Sequence, residues 1–224
     1  MKNASISTMI EKMEHSGLIP VFFHRDIEVC KEVLRATYNA GIRVFEFTNR
    51  GNNALEVFKE LVIFSKSLEG CIVGIGTIFY KEDAEKFHKA GAAFIVSPAL
   101  VPEVGKYAAE NNLLWIPGCG TVTEAHFARV AGATLIKVFP GNVLGANFVK
   151  SIKAVMPDVK IMPTGGVTVS EDNLHMWFKA GVSCVGMGSQ LVTMDILKTH
   201  DYERLTQKTK GALSIIEEAR NYKG

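Results

Sequence analysis

Lys137 stands in the middle of TLIKVFPG, residues 134–141, with Ile136 and Val138 on either side. The stretch reads as a short buried strand, where an ammonium group has been taken out of water at a cost. Three explanations stay open: a paired charge, a deprotonated amine, or a segment that is not a buried strand. An uncharged lysine amine attacks ketones and forms an imine, an electron sink for cleaving the adjacent carbon–carbon bond. Keeping any lysine amine uncharged near neutral pH costs roughly 4 kcal/mol, which a partly desolvated interior can supply. Snorkelling, the usual fate of a lysine stem, works poorly from mid-strand.

Other polar residues fall at the ends of similar runs. In RVFEFT (43–48), alternation sends Phe45 and Phe47 to one face and Val44, Glu46 and Thr48 to the other. Arg50 follows just beyond. An inward carboxylate can serve as a general acid or base, and the plainer reading is a structural ion pair of Glu46 with Arg50. In CIVGIGT (71–77), Gly74 and Gly76 leave room and Thr77 ends the run with a hydroxyl, ordinarily a cap or turn former. PTGGVTVSED (163–172) and GMGSQLV (186–192) offer glycine amides at Gly165, Gly166 and Gly188, with Ser189 beside them. Helices are expected directly afterwards, with Thr168 and Glu171 spaced as a capping box. Such a segment suits a phosphate, although paired glycines also make ordinary turns. The histidines form neither HxH nor HExxH, and only His24 falls near a strand end, so no metal site is expected.

Elements that could position these groups recur along the chain. Candidate strands cover 18–23, 43–48, 71–77, 93–98, 113–118, 134–140, 160–166 and 183–188, starting every twenty-odd residues. Amphipathic helical patterns lie between them. Ala-Gly pairs at 40–41, 90–91, 131–132 and 180–181 each close a helix and lead into a strand, a weak internal repeat. The pattern predicts one α/β domain, a (β/α)8 TIM barrel over 1–224 with its core at about 18–190. Residues 5–16 are expected to form a helix closing the bottom, and 201–222 a final helix weakened by Gly211. A doubly wound sheet is the alternative, but no GxGxxG follows the first strand. In a barrel the chemistry sits at the carboxyl ends of the strands, where these polar residues fall.

Composition narrows the partners. With 224 residues, 47% hydrophobic, and a net charge of +2 from interspersed acids and bases, nothing points to nucleic acid or a membrane surface. Apolar runs stop short of a bilayer span and the amino-terminal stretch lacks a secretory core. Cys30, Cys71, Cys119 and Cys184 are far apart and read as reduced thiols of a cytoplasmic protein.

Taken in order, EFTNR (46–50), GIGT (74–77), SPAL (97–100), PGCGT (117–121), IKVFP (136–140), PTGG (163–166) and GMGS (186–189) resemble the bacterial 2-keto-3-deoxy-6-phosphogluconate aldolase family. Its members often also cleave 4-hydroxy-2-oxoglutarate. The resemblance implies a class I aldolase on a barrel, a homotrimer, with no metal or organic cofactor and a phosphorylated 2-oxo acid as substrate. It makes Lys137 the Schiff-base residue and Glu46 the acid/base. Arg50 and Thr77 match positions that hold the pyruvyl carboxylate, and Pro98 and Phe139 would line the pocket. Thr164, Gly165, Gly166, Gly188 and Ser189 match the phosphate end. Asn49, and Gly-Met-Gly-Ser where relatives often show Gly-Gly-Ser, depart from the pattern and leave substrate and C4 epimer open. A phosphosugar isomerase or epimerase, or a non-catalytic phosphate-binding barrel, remain as competing readings.

Overall fold

Short β-branched runs alternating with amphipathic ones become, in the computed structural model, parallel strands separated by helices; the structure describes residues 5–221. The strands are β1 (Leu18–Phe22), β2 (Val44–Thr48), β3 (Ile72–Gly76), β4 (Phe94–Val96), β5 (Leu114–Ile116), β6 (Gly118–Cys119), β7 (Leu135–Val138), β8 (Lys160–Pro163) and β9 (Val185–Met187). The helices are α1 (Ile6–Ser16), α2 (Ile27–Asn39), α3 (Ala54–Ser65), α4 (Lys81–Lys89), α5 (Pro102–Glu110), α6 (Val122–Val130), α7 (Gly141–Val155), α8 (Glu171–Lys179), α9 (Met194–Thr199) and α10 (Tyr202–Asn221). Every predicted strand is present, trimmed at its ends. The fifth is split into β5 and β6 at Pro117, which has no N–H to give a ladder.

Two parallel sheets, ordered β5-β4-β3-β2-β1-β9 and β6-β7-β8, close into one barrel. One seam is the chain itself, running from β5 into β6. At the other, Thr164 bridges Gly186, and the Ser183 amide donates to the Ile161 carbonyl at 2.9 Å. The Ala-Gly repeat serves as expected: Ala40, Ala90, Ala131 and Ala180 cap α2, α4, α6 and α8. The glycines that follow have φ of 118°, 103°, 87° and 93°, which glycine adopts without a Cβ clash.

Alternation divides the core in two. Outward residues of the strands, Phe45, Phe47, Ile136 and Val138 among them, pack under the helices. Inward residues Ile19, Val44, Ile72, Phe94, Leu114, Leu135, Met162 and Cys184 fill the lower barrel together with Met9, Ile10 and Met13 of α1. Helix α1 is therefore the bottom plug. Its three buried side chains contribute about 1.5–3 kcal/mol each. Ser5 starts it by accepting from the Thr8 amide at 3.2 Å, and Gly17, at φ 67°, ends it.

Helix α10 lies against α2 and α8. Thr206 donates to the Ala36 carbonyl at 3.1 Å, and Arg220 donates to the Ser183 and His15 carbonyls at 2.9 and 3.1 Å. Residue 222 of the expected final helix lies outside the described residues. No helix among them is long and apolar enough to cross a membrane. The expected capping box at Thr168 and Glu171 is replaced. Ser170 caps α8 by accepting from the Asn173 amide at 3.4 Å, while Asn173 Oδ1 accepts from the Thr168 amide at 2.9 Å. A turn separates Ser189 from α9, whose cap is Thr193, so no helix starts directly after the last strand.

Candidate active site

Above the lower apolar layers the barrel interior changes character. Inward positions of β3, β6 and β9 carry Gly74, Gly76, Gly118 and Gly186. A Cβ on Gly76 would overlap Glu46 Oε1, one on Gly118 the Pro98 carbonyl, and one on Gly186 the Thr164 hydroxyl. At these three positions polar groups occupy the space a side chain would take, whereas at Gly74 the Phe94 ring does.

Two charges meet in this space. Lys137 stands on β7 opposite Gly118 and Met162, held by its amide donating to the Pro117 carbonyl at 2.8 Å. Glu46 stands on β2 opposite Val21 and Gly74. Lys137 Nζ lies 3.6 Å from Glu46 Oε1, with Glu46 fully buried and Lys137 only 5% exposed. Neither oxygen of Glu46 accepts a hydrogen bond from the described residues. Buried carboxylate oxygens are normally satisfied, so an unmet pair facing an ammonium is an arrangement kept ready for other partners. The Phe139 ring lies 5.4 Å from the same Nζ, giving the cation an aromatic face. The alternative ion pair of Glu46 with Arg50 is not formed. Arg50 is exposed beyond β2 and pairs with no acid among the described residues, because β2 turns Glu46 inward and the chain has left the barrel four residues later.

The rim above the pair is ordered. Asn49 donates its amide to the Gly76 carbonyl at 2.9 Å, drawing the loops after β2 and β3 together and with them Arg50 and Thr77. Thr77 is half-buried with φ of 62°, a strained backbone for a β-branched residue and a cost that functional sites tolerate. Across the mouth, the Thr164–Gly186 bridge sets Gly165 and Gly166 beside Gly188 and Ser189. Gly165 and Gly166 have φ of 92° and 72° and lie against Gly141 and Asn142 at the start of α7. Pro98 and Phe139 are half-buried at the ends of β4 and β7. The catalytic, carboxylate and phosphate candidates therefore lie toward or just beyond the carboxyl ends of their strands, at one end of the barrel. A cavity of about 140 Å³ under Trp115, lined also by Ala108, Leu113 and Gly132, includes none of them.

The model of the KDPG and KHG aldolases matches residues 9–208. The chain belongs to this family. It is 31% identical to the KHG/KDPG aldolase of Escherichia coli K12 over 199 residues, 88% of this chain and 90% of the relative. It is also 31% identical to the 2-dehydro-3-deoxy-phosphogluconate aldolase of Dickeya dadantii over 218 residues, 96% and 98% of the two chains. Among solved structures, the KDPG aldolase of Legionella pneumophila superposes with a TM-score of 0.83 at 27% identity, covering 91% of this chain and 97% of that one. That structure holds pyruvate captured at low pH as a covalent carbinolamine intermediate.

Within this aldolase barrel, two hydroxyls had no assigned part in the sequence reading of the Lys137 end. Thr48 Oγ1 and Thr164 Oγ1 are buried with no hydrogen-bonding partner among the described residues. Thr164, a candidate for the phosphate end, turns its hydroxyl inward over Gly186. The signal for Thr48 was already in the sequence, since alternation sets it on the face of Glu46. The four cysteines are free thiols, with Cys30, Cys119 and Cys184 buried.

Proposed function

We propose that the protein is a class I aldolase that cleaves 2-dehydro-3-deoxy-6-phosphogluconate to pyruvate and glyceraldehyde 3-phosphate through an imine on Lys137. The observation that carries this reading is the buried Lys137–Glu46 pair, 3.6 Å apart, at the carboxyl end of an aldolase-family barrel. The ammonium passes a proton to Glu46, and the freed amine adds to the C2 carbonyl of the substrate. Two protons from the nitrogen reach the former carbonyl oxygen by way of Glu46. Water leaves, and the iminium remains beside a carboxylate, so charge and atoms balance. Glu46 then takes the C4 hydroxyl proton while C3–C4 breaks into the iminium. Protonation of the enamine at C3 and hydrolysis release pyruvate.

Arg50 and Thr77 hold the substrate carboxylate, fixing the reacting atoms in line. Pro98 and Phe139 flank the pyruvyl portion. Thr164, Gly165, Gly166, Gly188 and Ser189 take the phosphate, supported by the adjacency of the two glycine turns across the β8–β9 seam. Cleavage of 4-hydroxy-2-oxoglutarate to pyruvate and glyoxylate fits the same centre, since only the phosphate end is unused. The reading extends to a cytoplasmic homotrimer of single-domain subunits. An exposed apolar stripe on α6, Val122, Phe127 and Val130, supports self-association, which sedimentation would measure.

Borohydride reduction in the presence of pyruvate tests the chemistry. A reduced pyruvyl adduct on Lys137 is expected, together with its absence and loss of cleavage in Lys137→Arg, whose guanidinium cannot act as an amine nucleophile. Cleavage retained by that variant excludes the imine.

A further inference from the structure

Thr48 carries a polar atom with nothing to do in the folded chain. Its residue is 1% exposed, and its Oγ1 meets no donor or acceptor among the described residues. Leaving a hydroxyl buried and unsatisfied costs about 1–3 kcal/mol, whereas a valine of the same shape would avoid the cost. A cap or turn does not account for it, because the hydroxyl bonds no backbone group. Strand alternation points it into the barrel on the face of Val44 and Glu46.

Its height in the barrel is defined by two observations. Thr48 is the register partner of Gly76 on β3. Glu46 Oε1 reaches upward from its own layer to fill the place a Cβ on Gly76 would take. The Glu46 carboxylate, reaching over the Gly76 position of β3, and the Thr48 hydroxyl, two residues further along β2, therefore share one layer without bonding to each other. Both face the interior where Lys137 Nζ stands. An oxygen lying between them would satisfy the hydroxyl and one carboxylate oxygen together.

We propose that Thr48 is a positioning residue of the aldolase reaction, its hydroxyl holding against Glu46 the oxygen that arrives as the C2 carbonyl and departs as water. This rests on the aldolase reading. Nitrogen–carbon bond formation at C2 turns that oxygen into a carbinolamine hydroxyl. When the carbon–oxygen bond breaks, the proton from Glu46 goes to the departing oxygen and the nitrogen lone pair closes the iminium. Thr48 neither gains nor loses a proton; it fixes the oxygen in line with the acid.

Thr48→Val and Thr48→Ser are compared with the parent in three measurements: borohydride trapping rate with pyruvate, kcat and KM for cleavage, and melting temperature. Thr48→Val is expected to lower trapping rate and kcat by about tenfold or more, with KM little changed. Its melting temperature should equal or exceed the parent's, because the orphan hydroxyl is gone. Thr48→Ser, which keeps the hydroxyl, should recover most of the rate. The proposal is overturned if Thr48→Val traps and turns over within about twofold of the parent, or raises KM alone. It is equally overturned if both variants lose rate in step with melting temperature, the mark of a structural role. Absence of any adduct in the parent would instead remove the aldolase reading itself.

Discussion

Replacing Gly76 by alanine displaces a carboxylate without deleting it. The backbone at Gly76 is ordinary strand, so alanine suffers no conformational strain there. The new methyl, however, would lie 2.6 Å from Glu46 Cδ and 2.9 Å from its Cγ, and closer still to Oε1. Carbon atoms in contact sit at about 3.5–4.0 Å, so the side chain must retreat by roughly 1 Å. The Lys137–Glu46 separation is 3.6 Å, so a shift of that size breaks the alignment through which protons pass. Misplacement on this scale costs about a hundredfold in rate, or roughly 2.7 kcal/mol of transition-state stabilisation.

Because the colliding atoms belong to a flexible side chain, stability should fall by no more than about 1–3 kcal/mol. The assay is kcat for cleavage with borohydride trapping in parallel, set beside a melting curve. Gly74→Ala is the control, since its methyl would strike the Phe94 ring and not the carboxylate. It should lose comparable stability with a much smaller loss of kcat. If Gly76→Ala turned over within about threefold of the parent, the position of Glu46 would not govern the reaction, and the argument from its geometry would fail.

Other outcomes follow from single features. Glu46→Gln should retain the fold and lose about 10²–10⁴ in kcat, whereas a variant that unfolds would make Glu46 a structural partner of Lys137. Gly211→Ala in α10, where nothing lies within 4 Å of the added methyl, should stabilise the protein by up to about 1 kcal/mol in urea titration. Burial pushes the thiols of Cys30, Cys119 and Cys184 up to about 12 and that of Cys71 to about 11. The folded protein at pH 8 should therefore react slowly with a thiol reagent, and all should react once unfolded. The same shifts have a definite sign: thiols of the unfolded chain ionise first, so stability should decline as pH rises above about 9 and keep declining toward 11–12.

Much of the architecture could be read from local rules. Ala-Gly helix ends at 40–41, 90–91, 131–132 and 180–181 marked the repeat because a left-handed residue after a helix is a property of the backbone itself. Alternation put Glu46 on an inward face and Lys137 on the face opposite Ile136 and Val138, since the period of a strand is two whatever surrounds it. Capping was less legible. Thr168 and Glu171 had the right spacing, but Ser170 lay nearer the start of α8 and Asn173 closed the box from the other side. The fifth strand broke at Pro117, where the missing N–H removes one ladder bond.

What the residues alone determined was a set of faces and ends: which side chains point inward, where helices stop, and that one lysine sits mid-strand among apolar neighbours. Which acid that lysine would meet was not contained there, for Glu46 lies 91 residues earlier in the chain and has Arg50 four residues away as a nearer candidate. Closure of the barrel decided it. Wrapping β2 and β7 around a common interior with Gly76 and Gly118 left bare brought the carboxylate and the ammonium to 3.6 Å, while the turn after β2 carried Arg50 out to the rim. Faces follow from backbone geometry over a few residues, but a pairing across the barrel depends on curvature summed over the whole ring.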